Sequence, residues 1–144
     1  MLTLLILYNT KTGNTELMAN AVEEGAKKVQ SVEVTLKYHA TPEELQNADA
    51  IIIGTPTYNH SMTLDIQTLL ERAAQQNVDL KGKIAAAFGS YGWSGEAPLQ
   101  LLEILRNKFG MNTIEQPILA NYKPDVKVLE KCKELGEKVA NRLI

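Results

Sequence analysis

The chain has a single cysteine, Cys132, in 144 residues. No disulfide framework and no cysteine metal cluster can be built within one copy. Its two histidines, His39 and His60, are too few for a histidine-rich metal centre. Aromatic residues are scarce at 6%, with one tryptophan, Trp93. No apolar run approaches membrane-spanning length, so no membrane association is expected. The opening residues lack the basic and small-residue signals of a secretory leader. Charge of either sign is not in excess: a net charge of −2 gives no basic surface for nucleic acid or anionic lipid. A cytoplasmic location is the expectation.

What is present is an alternation of strand-like and helix-like patterns. Leu2–Tyr8 is a continuous apolar run, as in a strand covered on both faces. Asn14 to about Val29 places Met18, Ala21, Val22, Gly25 and Val29 on one helical face. Val32–Tyr38 alternates like a strand near a sheet edge, and Thr41-Pro42-Glu43-Glu44 reads as a helix start. Asp49–Gly54 predicts the third strand, Met62–Gln76 a helix, and Lys83–Gly89 the fourth strand. Glu96–Phe109 predicts a helix, Thr113–Ala120 the fifth strand, and Pro124 opens a last helix. On that helix Cys132 falls on the inward stripe, as a buried inert thiol. The pattern predicts one α/β domain over residues 1–144, with a five-stranded parallel sheet of order 2-1-3-4-5 and helices on both faces.

Ligands of such sheets bind beyond the carboxyl ends of the strands, where the strand order reverses. Three loops meet there. The first, Thr10-Lys11-Thr12-Gly13-Asn14-Thr15, leads from a strand into a helix through a hydroxyl-rich turn. Backbone N–H groups at a helix start attract phosphate, and Gly13 allows close approach. Read alone, the turn also resembles an ordinary capped helix start, with Thr12 or Asn14 as cap. It is neither a Walker A loop nor a G-x-G-x-x-G turn. The second loop is Thr55-Pro56-Thr57-Tyr58-Asn59-His60-Ser61, and the third Ser90-Tyr91-Gly92-Trp93-Ser94-Gly95. A phosphate grip beside Tyr58, Tyr91 and Trp93 suits a flat fused-ring ligand carrying a monophosphate.

These segments resemble a known family. The turn Thr10-x-Thr12-Gly13-Asn14-Thr15 is similar to the FMN-phosphate loop of flavodoxins. The strings Thr55-Pro56-Thr57-Tyr58-Asn59 and Phe88-Gly89-Ser90-Tyr91-Gly92-Trp93-Ser94-Gly95 resemble the flavodoxin-like domain of flavodiiron proteins. The resemblance spans essentially the whole chain. It implies the three-layer flavodoxin-like fold, non-covalent FMN, and electron transfer between redox protein partners by a monomer or weak dimer, with no catalytic nucleophile and no metal. Thr10, Lys11, Thr12, Gly13, Asn14 and Thr15 would serve the phosphate. Tyr58, Tyr91 and Trp93 would cover the flavin ring, and Ser90 would meet its pyrimidine end. Gly92 and Gly95 would tighten the loop, Pro56 would stiffen its own with Thr57, Asn59 would accept a left-handed turn, and His60 would face solvent or tune the flavin. Lys11 is expected to direct its side chain to solvent. An aromatic, poorly hydrated cleft disfavours anionic reduced flavin, so a low potential is expected.

The di-iron domain of flavodiiron proteins has no counterpart in these residues, and the expectation is a free-standing flavodoxin. Two other readings stand beside it: an FMN-dependent NAD(P)H:quinone or flavin reductase, and the flavin module of a larger flavodiiron-type oxygen or nitric oxide reductase system. A phosphorylated receiver module is disfavoured, because the strand ends Tyr8-Asn9 and Gly54-Thr55 carry no acidic cluster.

Overall fold

A computed structural model describes residues 1–114 and 116–144. Its elements are β1 (Leu2–Tyr8), α1 (Asn14–Ala26), β2 (Val32–Lys37), α2 (Pro42–Asn47), β3 (Ala50–Gly54) and α3 (Leu64–Gln75), then β4 (Ile84–Tyr91), α4 (Ala97–Asn107), β5 (Asn112–Thr113), β6 (Ile118–Asn121) and α5 (Val126–Arg142). The sheet order is β2-β1-β3-β4-β5, with β6 also on β4, and the pairings are parallel. This is the parallel sheet of order 2-1-3-4-5 with helices on both faces that the alternation predicts, and the three-layer arrangement that the resemblance implies. Successive side chains of a strand point to opposite faces. Leu4 and Ile6 therefore pack under α1 and α5 with Met18, Val22 and Val139. Leu5 and Leu7 pack on the other side, with Ile66 and Leu70 of α3 and Leu101 and Leu105 of α4.

The fifth strand differs from the expectation. The span Thr113–Ala120 is two short pieces: β5 pairs with Ile84 and Ala85, and β6 with Phe88 to Tyr91. Pro117 lacks the N–H a continuous ladder needs; Glu115, within the expected strand, lies outside the described residues. Because β6 pairs with Ser90 and Tyr91, β4 runs two residues past the expected end at Gly89. The last helix begins at Val126 instead of Pro124, since Asp125 caps it by accepting the Val128 N–H at 2.9 Å. The Thr41 start is a complete capping box with Glu44.

α1 and α5 approach closely at two glycines. A β-carbon on Gly25 would overlap the Lys133 carbonyl oxygen, and one on Gly136 would overlap that of Val22. This contact fixes α1, and with it the turn that opens the helix.

Candidate cofactor cleft

The buried polar side chains among the described residues (Asn9, Thr15, Thr55, Thr57 and Ser90) sit at the carboxyl ends of β1, β3 and β4, on the loops that follow, or, for Thr15, in the first turn of α1. Buried polar groups need partners, and here the partners join one loop to another. The Thr63 hydroxyl donates to Asn9 Oδ1 at 2.8 Å, and the Thr63 N–H to Thr55 Oγ1 at 3.3 Å. Thr57 Oγ1 accepts the Ala97 N–H at 3.0 Å, capping α4 from the neighbouring loop. Thr15 Oγ1 lies 2.9 Å from Ser90 Oγ.

In the first loop, Thr10 Oγ1 accepts the Gly13 N–H at 2.9 Å and closes the turn. Gly13 has φ +89°, a left-handed conformation that favours glycine. It is also the residue before α1, so the helix start has no side-chain cap. Neither Thr12 nor Asn14 plays the ordinary capping role. A helix start leaves N–H groups without intrahelical partners, and Thr12 and Asn14, which flank Gly13 at this start, line a hollow. Thr15 lies beneath the hollow, fully buried. Lys11 differs from its solvent-directed expectation: though exposed, its ammonium lies 4.7 Å from the Tyr58 ring centroid, a cation–π contact. The Tyr58 phenol pKa is raised by burial, an effect partly offset by the Lys11 backbone N–H.

In the second loop Pro56 and Thr57 are buried, and the Thr57 N–H donates to the Ser90 carbonyl at 3.2 Å. Tyr58 and Ser61 then exchange two backbone hydrogen bonds, 2.9 and 3.0 Å, around Asn59 (φ +51°) and His60 (φ +64°). Positive φ at both central residues belongs to a type I′ turn. The left-handed Asn59 was expected; His60 shares its conformation. His60 is half-exposed, yet its Nδ1 is 2.7 Å from Glu96 Oε2 and 3.2 Å from Ser94 Oγ. The hydrogen bond from Ser94, with that from His60, holds the Glu96 carboxyl below the usual carboxylate range.

The third loop leaves the end of β4 with Ser90 and Tyr91 still in the strand. Gly95 packs against the Tyr91 ring behind the cleft, and Gly92 lies under the ring of Tyr122. The Trp93 indole is 85% exposed and 5.1 Å from the His60 ring. Tyr122 lines the hollow and was not singled out from sequence. It follows β6 with φ +59°, and its N–H donates to the Tyr91 carbonyl at 2.6 Å. The signal for it was positional: Tyr122-Lys123 begins another loop at the carboxyl edge, after β6 and next to β4.

The hollow thus formed has a volume of about 500 Å³, within the range of small-molecule sites. Thr12, Asn14, Pro56, Thr57, Tyr58, Asn59, His60, Ser90, Tyr91, Gly92 and Trp93 line it together with Ser94 and Tyr122, and no lysine or arginine is among them. Thr10 and Lys11 face an adjoining depression across Tyr58. A larger hollow of about 870 Å³ lies between α3 and α4; it touches the second loop at Ser61, but neither the start of α1 nor an aromatic side chain lines it.

A doubly wound α/β sheet with an uncapped helix start facing an aromatic cleft defines a nucleotide-cofactor protein of the flavodoxin-like class. The flavodoxin family model matches residues 6–136, and the chain belongs to the flavodoxin family, whose members bind FMN and transfer electrons. It is 35% identical to the type A flavoprotein fprA of Rhodobacter capsulatus over 147 aligned positions, covering 98% of this chain and 33% of that protein. It is 36% identical to a flavodoxin of Clostridium saccharobutylicum over 105 positions, 71% of this chain and 64% of that one. A solved flavodoxin from the domain Archaea superposes with a TM-score of 0.89 at 34% identity, over 99% of both chains. The chain spans about a third of the length of the fprA relative.

Proposed function

We propose that the cleft holds FMN with its phosphate at the start of α1 and its ring among Tyr58, Tyr91, Trp93 and Tyr122. The observation that carries this reading is the uncapped start of α1 opening onto an aromatic hollow. Thr12 and Asn14 offer side-chain donors there, while Thr10 and Gly13 shape the turn and Lys11 and Thr15 hold it in place. Ser90 and the Gly92–Gly95 loop bound the other end, opposite Pro56, Thr57, Asn59 and His60. FMN, when bound, supplies one- and two-electron redox chemistry. The residues of the chain set its environment. Aromatic walls exclude water and no lysine or arginine lines the hollow itself, which favours a low potential, against the Lys11 ammonium that sits over the Tyr58 ring.

In this reading residues 1–144 form one FMN-binding unit, a monomer or weak dimer that carries electrons between redox proteins in the cytoplasm. The family match to the flavodoxins and the coverage of the archaeal flavodoxin over 99% of both chains support a carrier. A second reading, the flavin module of a flavodiiron-type system, draws on the 35% identity to one third of fprA. The test is the visible spectrum of the purified protein during reduction. A carrier shows a flavin spectrum that dithionite bleaches and NADH or NADPH alone does not. Rapid bleaching by either nucleotide identifies a reductase, and a protein that takes up no FMN refutes the site.

A further inference from the structure

Asn59 and His60 are consecutive non-glycine residues with φ of +51° and +64°, a conformation that costs such residues free energy and persists where surroundings impose it. The restraints come from the third loop and α4. Gln100 Nε2 donates to the His60 carbonyl at 2.9 Å, and Glu96 Oε2 receives His60 Nδ1 at 2.7 Å. In return Thr57 Oγ1, from the second loop, caps α4 through the Ala97 N–H. Loop and helix start hold each other.

We propose that Glu96 and Gln100 are positioning residues that set the Asn59–His60 turn in its left-handed form at the cleft wall before the cofactor arrives. The proposal rests on the reading of the cleft as the FMN site. Preorganisation removes the ordering cost from the binding step, so affinity depends on two side chains of which only the neighbours line the cleft. Glu96 acts through His60, and Gln100 through the His60 carbonyl.

The test is amide hydrogen exchange in flavin-free protein, comparing wild type with the Glu96→Ala, Gln100→Ala double variant. The Tyr58 and Ser61 amides report the turn, and the Ile52 and Ala86 amides report the sheet. The turn amides are expected to exchange at least about tenfold faster in the variant, which loses one charge-assisted and one neutral hydrogen bond. The sheet amides are expected to keep their rates, and FMN is expected to bind about tenfold more weakly. Glu96→Gln combined with Gln100→Ala, which retains an acceptor for Nδ1–H, is expected to recover the part of both losses that Glu96 carries. Unchanged turn exchange overturns the proposal, as does faster turn exchange with unaltered FMN affinity or equal acceleration in the sheet. If wild type binds no FMN, the reading of the cleft fails, and with it the positioning role, whereas the exchange data still decide whether the clamp exists.

Discussion

The hydroxyl oxygens of Thr15 and Ser90 lie 2.9 Å apart, with both side chains buried. Their contact ties the first turn of α1 to the end of β4, so the start of α1 and the aromatic loop share one floor. Replacing Thr15 leaves the buried Ser90 hydroxyl without this partner, and replacing the Ser90 hydroxyl leaves Thr15 Oγ1 only the Ser90 N–H, at 3.4 Å. Thr15→Val and Ser90→Ala are each expected to destabilise the flavin-free protein by about 1–3 kcal/mol. The double variant is expected to lose less than the sum, because the orphaned group is then gone. Urea unfolding of the four proteins measures this; strict additivity would show that the contact is energetically silent.

The α1–α5 contact gives a second expectation. Alanine is ordinarily the better helix former than glycine by about 1 kcal/mol. At Gly136, however, the added carbon meets the Val22 carbonyl, and at Gly25 the Lys133 carbonyl. Gly136→Ala and Gly25→Ala are therefore expected to destabilise by about 1–3 kcal/mol, the usual cost of overpacking. A rise in the thermal midpoint of either variant would show that the helices can part without cost.

Trp93 carries the opposite signature. An indole that is 85% exposed contributes little to folding, so Trp93→Ala is expected to change stability by less than about 0.5 kcal/mol. Loss of one aromatic contact with the ring is expected to weaken FMN binding by about tenfold. As the sole tryptophan, it also makes FMN binding visible as quenching of protein fluorescence. Large destabilisation with unchanged affinity would place Trp93 in the fold instead of the site.

Burial pushes the Cys132 thiol up to about 12. The folded protein then holds that proton more tightly than the unfolded chain. Stability from this group is intact below the ordinary thiol range and falls as pH rises from there toward about 12. Glu96 has the reverse sign: its pKa is lowered by Ser94 and His60, so its ionised form persists as pH falls through the ordinary carboxylate range and is lost below it. A thiol reagent at neutral pH is expected to label Cys132 at the rate of global unfolding; immediate labelling would contradict its burial.

Much of the fold was legible because its signals are local. The apolar run Leu2–Tyr8, the Thr41–Glu44 cap and the spacing of Ile66, Leu69, Leu70 and Ala73 each report an element without reference to the rest of the chain. The three loops at the cleft followed from strand order. What escaped depends on contacts between distant segments. Tyr122 reaches the cleft because β6 draws it beside Tyr91, and Glu96 meets His60 across 36 residues of sequence. The ammonium of Lys11 settles over Tyr58 for the same reason: nothing in the spacing of the first loop records where the second will lie.

The central claim, that the uncapped start of α1 grips a phosphate, is tested most directly by titrating flavin-free protein with FMN and with riboflavin. The two ligands share the ring and differ in the phosphate. Two charge-assisted hydrogen bonds at the helix start predict that FMN binds at least about a hundredfold more tightly. Equal affinity for the two would contradict the account.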